Sequence, residues 1–216
     1  MKIYLLPGLG ADERIFRYLD IGEHNVVPLK WHAPIGDEPI EAYAKKLSQQ
    51  IQGDDMILIG MSFGGIMAIE LGKIMKANKI ILISSIASFD ELPLIYRLAG
   101  KTRIHRLLTG GVLKSSYRLM NWVMGATDPI RKELLAHMLR DTDERFLRWA
   151  LHKIVTWKNS TVPSNVYRIH GTNDRVLPLR HADFIINNGG HLSVANRAEE
   201  VTLFIRKILA TPNADS

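Results

Sequence analysis

Four short runs of this chain hold side chains able to carry covalent chemistry. Gly60-Met61-Ser62-Phe63-Gly64-Gly65 sets a serine between glycines, after the apolar run Met56-Ile57-Leu58-Ile59 and before a helical stretch expected over residues 66–75. A serine hydroxyl is a weak nucleophile at neutral pH. It needs a base to take its proton, an acid to orient the base, and donors for the charge of a tetrahedral intermediate. A base is available in Asn187-Asn188-Gly189-Gly190-His191, where two glycines free the backbone to aim the ring. An acid is available in Ile169-His170-Gly171-Thr172-Asn173-Asp174. Donors are available in Leu6-Pro7-Gly8-Leu9-Gly10-Ala11-Asp12, because a glycine-rich turn entering a helix leaves backbone N–H groups free.

Each run also has a plainer reading. The Ser62 run can be an ordinary glycine-rich turn, and Asp174 a turn aspartate capping its own backbone. Seven other histidines compete with His191: His24, His32, His105, His137, His152, His170 and His181. His170 is expected to support the Asp174 loop. The Gly8 loop could cradle phosphate, but it lacks the Walker lysine, and Glu13 stands where a dinucleotide fingerprint needs its last glycine.

The elements that must hold these runs follow from hydrophobic patterning. Strands are expected over residues 2–6, 25–29, 55–59, 79–83, 165–170 and 183–187, several of them continuous apolar runs as in strands covered on both faces. Between them Ile40, Tyr43, Ala44, Leu47 and Ile51 recur at helical spacing, as do Val201, Phe204, Ile205 and Ile208. Alternation of the two periods predicts βαβ units and a parallel sheet. All four runs then lie at carboxyl ends of strands, the edge where such sheets bind ligands. The turn after residues 56–59 must be sharp, with Gly60 and Gly64 letting its arms pass.

The interval from residue 85 to 164 is too long for a simple crossover. Asp128-Pro129 marks a helix start ahead of Leu134, Leu135, Met138 and Leu139, and a second amphipathic stretch carries Phe146, Leu147, Ala150, Leu151 and Ile154. This predicts one α/β domain: a core over 1–84 and 165–210, a mostly helical cap over 85–164, and a frayed tail over 211–216.

With 46% apolar and 23% charged residues, the 216-residue chain has the composition of a globular protein. No apolar run approaches the ~20 residues of a membrane span, and the N-terminus reads as a core strand rather than a signal peptide, so a cytoplasmic location is expected. The absence of cysteine excludes disulfides, thiol catalysis and cysteine-bound metals. The net charge is +6, and Arg97, Lys101, Arg103, Arg106, Lys114 and Arg118 follow one another without an acidic residue between Leu92 and Thr127. Such a stretch attracts an anionic substrate, a membrane surface or nucleic acid, or is simply a solvated face. No aromatic platform or nucleic-acid motif accompanies it, which argues against nucleic acid.

Taken together, the runs stand in the chain order oxyanion loop, Ser62, Asp174, His191, and so the chain resembles the α/β-hydrolase superfamily. The resemblance implies a three-layer α/β/α fold on a mainly parallel six-stranded sheet with a helical cap. It implies a triad of Ser62, Asp174 and His191, and an oxyanion hole from the amides of Leu9 and Phe63. It calls for no metal and no organic cofactor. The chain departs from the family by starting on what would be the third strand. The 17 positions between Asp174 and His191 are also too few for the helix usually found there, which keeps Asp90, after the fourth strand, open as an alternative acid.

The expectation is therefore a serine esterase that hydrolyses a small acyl substrate through an acyl-enzyme. Thioester hydrolysis, acyl transfer, carbon–carbon hydrolysis, lyase chemistry and non-catalytic ligand binding on the same fold stay open. Leu107, Trp122, Met124 and Trp149 could line an acyl pocket, although packing explains any one of them equally well. Oligomeric state has no sequence signal.

Overall fold

The computed structural model describes residues 1–107, 111, 122–126 and 128–212. Lys114, Arg118, Thr127 and residues 213–216 lie outside the described residues. Six strands form one sheet: β1 (Lys2–Leu6), β2 (Asn25–Pro28), β3 (Met56–Met61), β4 (Lys79–Ile83), β5 (Val166–Gly171) and β6 (Phe184–Ile186). Their order is β2-β1-β3-β4-β5-β6, and every neighbouring pair is parallel. Each strand falls within a few residues of its expected place.

Strand alternation divides the buried side chains between two faces. Tyr4, Leu6, Met56, Leu58, Ile80 and Leu82 face helices α1 (Ile40–Leu47) and α2 (Phe63–Gly72). Ile3, Leu5, Ile57, Ile59, Ile81 and Ile83 face the opposite layer, where the C-terminal helix contributes Val201, Ile205 and Ile208. The result is a three-layer α/β/α sandwich. β3 and β4 are buried along their whole length, which is why their sequences show unbroken apolar runs rather than alternation.

The long interval between β4 and β5 contains α3 (Leu94–Thr102), α4 (Pro129–Asp141) and α5 (Glu144–Thr156) among the described residues. The expected starts hold. The Asp128 carboxylate accepts from the Arg131 amide with Pro129 in the first turn, and Asp143 accepts from the Phe146 amide. α5 packs Phe146 and Trp149 into the aromatic cluster of Trp31, Tyr43 and Phe63, which ties the interval to the core. After β6 come the short helix α6 (Ser193–Asn196) and α7 (Ala198–Ala210).

One boundary differs from expectation in a way that matters. α2 begins at Phe63, not Ile66. Gly64 and Gly65 are helical residues, and Gly64 serves the close approach expected of it. A Cβ on Gly64 would lie 2.0 Å from the Leu6 carbonyl oxygen, and one on Gly65 2.3 Å from Ser85 Oγ.

Candidate active site

Ser62 sits between the end of β3 and the first residue of α2, with φ 52° and ψ −120°. A positive φ in a residue with a Cβ costs roughly 1–3 kcal/mol and persists only where the surroundings enforce it. Here they do. The Ser62 amide donates to the Ile83 carbonyl at 3.0 Å, and its carbonyl accepts from Ser85 Oγ at 2.6 Å and the Gly65 amide at 2.9 Å. Gly60 makes the turn passable, because a Cβ there would lie 2.3 Å from the Gly64 carbonyl oxygen. Gly8 of the loop after β1 comes against Ser62 itself, its Cβ position 3.3 Å from Ser62 Cβ.

Asp174 and His191 approach from the next two strand ends. β5 and β6 are adjacent, and their loops interlock: the Asn173 amide donates to the Gly189 carbonyl at 2.8 Å, and the Thr172 amide to the Ile186 carbonyl at 3.1 Å. Gly171 permits this, since a Cβ there would stand 2.2 Å from the Gly189 carbonyl oxygen. This direct loop contact substitutes for the missing helix between the two residues.

The geometry brings the expected residues together. His191 Nε2 lies 2.9 Å from Ser62 Oγ, and His191 Nδ1 lies 2.8 Å from Asp174 Oδ2. The same Asp174 oxygen lies 3.1 Å from His170 Nε2, while Oδ1 accepts from the Val176 and Leu177 amides, each at 2.9 Å. Burial pushes the Asp174 carboxyl up. The His191 charge, the hydrogen bonds of His170 and His191, and the Leu177 amide outweigh it, and hold the group well below the usual carboxylate range. An ionised acceptor on Nδ1 fixes the tautomer in which Nε2 can accept the serine proton. Asp90 lies in a 3-10 turn (Phe89–Glu91), and it is Asp174 that accepts the hydrogen bond from His191 Nδ1.

The amides of Leu9 and Phe63 make no hydrogen bond among the described residues, and both residues line the cavity that holds Ser62 and His191. Free amides at a helix start and a glycine turn are suited to an anionic oxygen. The cavity measures about 300 Å³. Besides Ser62 and His191, its polar side chain is Tyr96 of α3, whose hydroxyl is pushed up by burial and by Asp174 and stays neutral. The remaining wall is apolar among the described residues: Ile66 and Leu177 from the core, Met124, and Leu139, Leu147 and Leu151 from α4 and α5.

Of the expected lining residues, Met124 is present, whereas Leu107 (78% exposed) and Trp122 (62% exposed) face away and Trp149 packs in the aromatic cluster. Of the basic stretch, Lys114 and Arg118 lie outside the described residues. No lysine or arginine lines this cavity among the described residues, and Arg106 lines a different pocket. Tyr96, Leu147 and Leu151 carry no signal in sequence that separates cavity wall from packing.

No protein-family model and no curated protein matches the chain. Among solved structures it is similar to a thermophilic esterase from Thermogutta terrifontis, with a TM-score of 0.72 and 17% identity over 97% of this chain and 89% of that one. It is also similar to a hydrolase from Pseudomonas aeruginosa, with a TM-score of 0.72 and 16% identity over 97% and 90%. A third is the enol-lactonase from Burkholderia xenovorans LB400, with a TM-score of 0.66 and 17% identity over 97% and 91%.

Proposed function

We propose that this chain, which has the α/β-hydrolase fold, is a serine hydrolase of neutral esters with an apolar acyl group. The observation that carries the reading is the unbroken line from Ser62 Oγ through His191 to Asp174, drawn from separate loops at one sheet edge. Ser62 Oγ attacks the acyl carbonyl as His191 Nε2 takes its proton. The carbonyl oxygen, now an oxyanion, takes hydrogen bonds from the Leu9 and Phe63 amides. His191 returns the proton to the departing alkoxide, leaving the acyl group on Ser62. Water then loses a proton to Nε2, attacks the ester carbon, and releases the acid as Ser62 Oγ regains the proton. Asp174 stays ionised throughout and stabilises the imidazolium.

The apolar wall supports the choice of substrate, because a carboxylate or phosphate buried there would lose its hydration with no lysine or arginine among the described lining residues to replace it. Residues 85–164 are read as a cap whose α3, α4 and α5 close over the sheet edge and supply Tyr96, Leu139, Leu147 and Leu151 to the cavity. The esterase and the lactonase among the similar structures both act on esters by their names, which agrees with the reading.

The decisive experiment is labelling with a fluorophosphonate, followed by kinetics on p-nitrophenyl esters of increasing acyl length. The expected result is a single adduct on Ser62 and a kcat/KM that rises with chain length before falling once the cavity is full. A folded protein that leaves Ser62 unlabelled and turns over none of the esters would overturn the reading.

A further inference from the structure

Helix α5 fronts a second cavity. Along a helix, positions three, four and seven apart share a face. Leu147, Leu151, Ile154 and Val155 lie on the face toward Ser62. Arg145, Arg148, Trp149 and His152 share another, and line a separate pocket of about 370 Å³ with Arg106 and Asp37. That volume is within the range of about 300–1,000 Å³ typical of small-molecule sites.

The charge in this pocket is unbalanced. Asp37 is shared among Lys153 Nζ at 2.7 Å, Arg106 at 3.2 Å and His152 at 3.7 Å. Arg145 reaches Asp143 at 3.3 Å, and Arg148 makes no ion pair or hydrogen bond among the described residues. Like charges gathered around a hollow repel one another and weaken the folded state unless an anion joins them. Guanidinium groups supply forked N–H donors that match carboxylate and phosphate oxygens two at a time. The wall is preorganised: the Trp149 indole N–H donates to the Glu38 carbonyl at 2.9 Å. His105 Nε2 and His152 Nδ1 lie 2.8 Å apart, and His105 is anchored to the Ala99 carbonyl at 2.9 Å.

We propose that this pocket is a binding site for a small organic polyanion bearing phosphate or carboxylate groups, held by Arg106, Arg145 and Arg148 on the face of α5 turned away from Ser62. The site contains none of the residues assigned to ester hydrolysis, so it stands or falls separately from that activity.

Isothermal titration calorimetry tests it with inorganic pyrophosphate and with citrate, in separate titrations at an ionic strength of about 0.15 M, where diffuse surface attraction is largely screened. The expected result is saturable one-to-one binding of at least one probe, and the arm that binds tells phosphate from carboxylate chemistry. An Arg145→Glu/Arg148→Glu double variant is expected to bind at least about tenfold more weakly, since it reverses two charges at the site. Both side chains are exposed, and circular dichroism with a cooperative thermal unfolding transition checks that the variant is folded. Arg148→Ala, which removes an exposed side chain with no partner among the described residues, is expected to weaken binding severalfold. Absence of saturable binding by either probe overturns the proposal, and so does unchanged affinity in the folded double variant or in Arg148→Ala.

Discussion

The two faces of α5 look out on cavities of similar size and opposite character. One side presents Leu147, Leu151, Ile154 and Val155 to Ser62 and His191. The other presents Arg145, Arg148 and His152 to a hollow that Asp37 only partly neutralises. In an ordinary amphipathic helix the apolar stripe packs and the polar stripe meets water. Here the apolar stripe also walls the cavity over Ser62, and the polar stripe curves around a second pocket. Amphipathicity therefore tells where a helix is wet and where it is dry. It does not tell which side has work to do.

The hardest way to break this contrast is to remove the chemistry from one side alone. Ser62→Ala should cut kcat for p-nitrophenyl ester hydrolysis by about 10⁶-fold, the loss seen when a triad serine is deleted elsewhere, while leaving pyrophosphate or citrate titrations as they were. Asp174→Asn keeps the shape but allows the wrong imidazole tautomer, and should lower kcat roughly 10⁴-fold. Steady-state kinetics on purified variants measures both. Near-native turnover in Ser62→Ala would remove the triad from the account.

How far the sequence could be read differs between these regions for a physical reason. Ser62, Asp174 and His191 are legible because each follows a strand, and strands of a parallel sheet end on one edge whatever the details of packing. Gly60 is legible too, since a Cβ there would lie 2.3 Å from the Gly64 carbonyl oxygen, whereas the approach of Gly171 to Gly189 is seen only in the structure. What could not be read was that Gly64 and Gly65 belong to α2, because a glycine needed for close approach looks the same as one needed for a turn. The cavity wall was equally opaque. Leu147 and Leu151 follow the same period as residues that merely pack, and Trp149, a candidate for the acyl pocket, turned out to wall the other one. Arg106 belongs to a basic stretch that suggested an anionic substrate, and only the course of the chain shows it beside α5 rather than beside Ser62.

A substitution on the apolar face sharpens the contrast at moderate scale. Leu151→Trp fills part of the cavity over Ser62, so long acyl chains should lose more than short ones. Each buried methylene is worth about 0.8 kcal/mol, close to fourfold. Displacing two of them should therefore shift the octanoate-to-acetate ratio of kcat/KM by roughly tenfold or more. A ratio that does not move would mean that the acyl chain lies elsewhere. The ratio is the informative quantity, because a general loss of folded protein cancels from it.

The smallest effect concerns protons on the cationic face. Burial lowers the His152 imidazole below its ordinary value. Asp37 opposes that shift, while Lys153, Arg106 and His105 reinforce it. The ring is therefore neutral at neutral pH and takes up a proton only as the pH falls below its unfolded value of about 6.5. In the unliganded protein this makes the folded state bind fewer protons than the unfolded one, so His152 subtracts stability as the pH drops through that range. A bound anion reverses the balance by favouring the imidazolium, and by linkage the anion must then bind more tightly as the pH falls. Ethanedisulfonate, ionised throughout, isolates the protein's share of this effect. Its affinity should rise a few-fold between about pH 7.5 and pH 5.5, the scale expected for one added charge near a partly exposed site. Titrations in buffers of different ionisation enthalpy should show net proton uptake on binding, and His152→Gln should abolish it. Ester hydrolysis in His152→Gln should stay within about twofold of the parent, as expected for a change outside the proposed triad. A larger loss would mean that the two faces of α5 are coupled, and that what binds on one side is felt on the other.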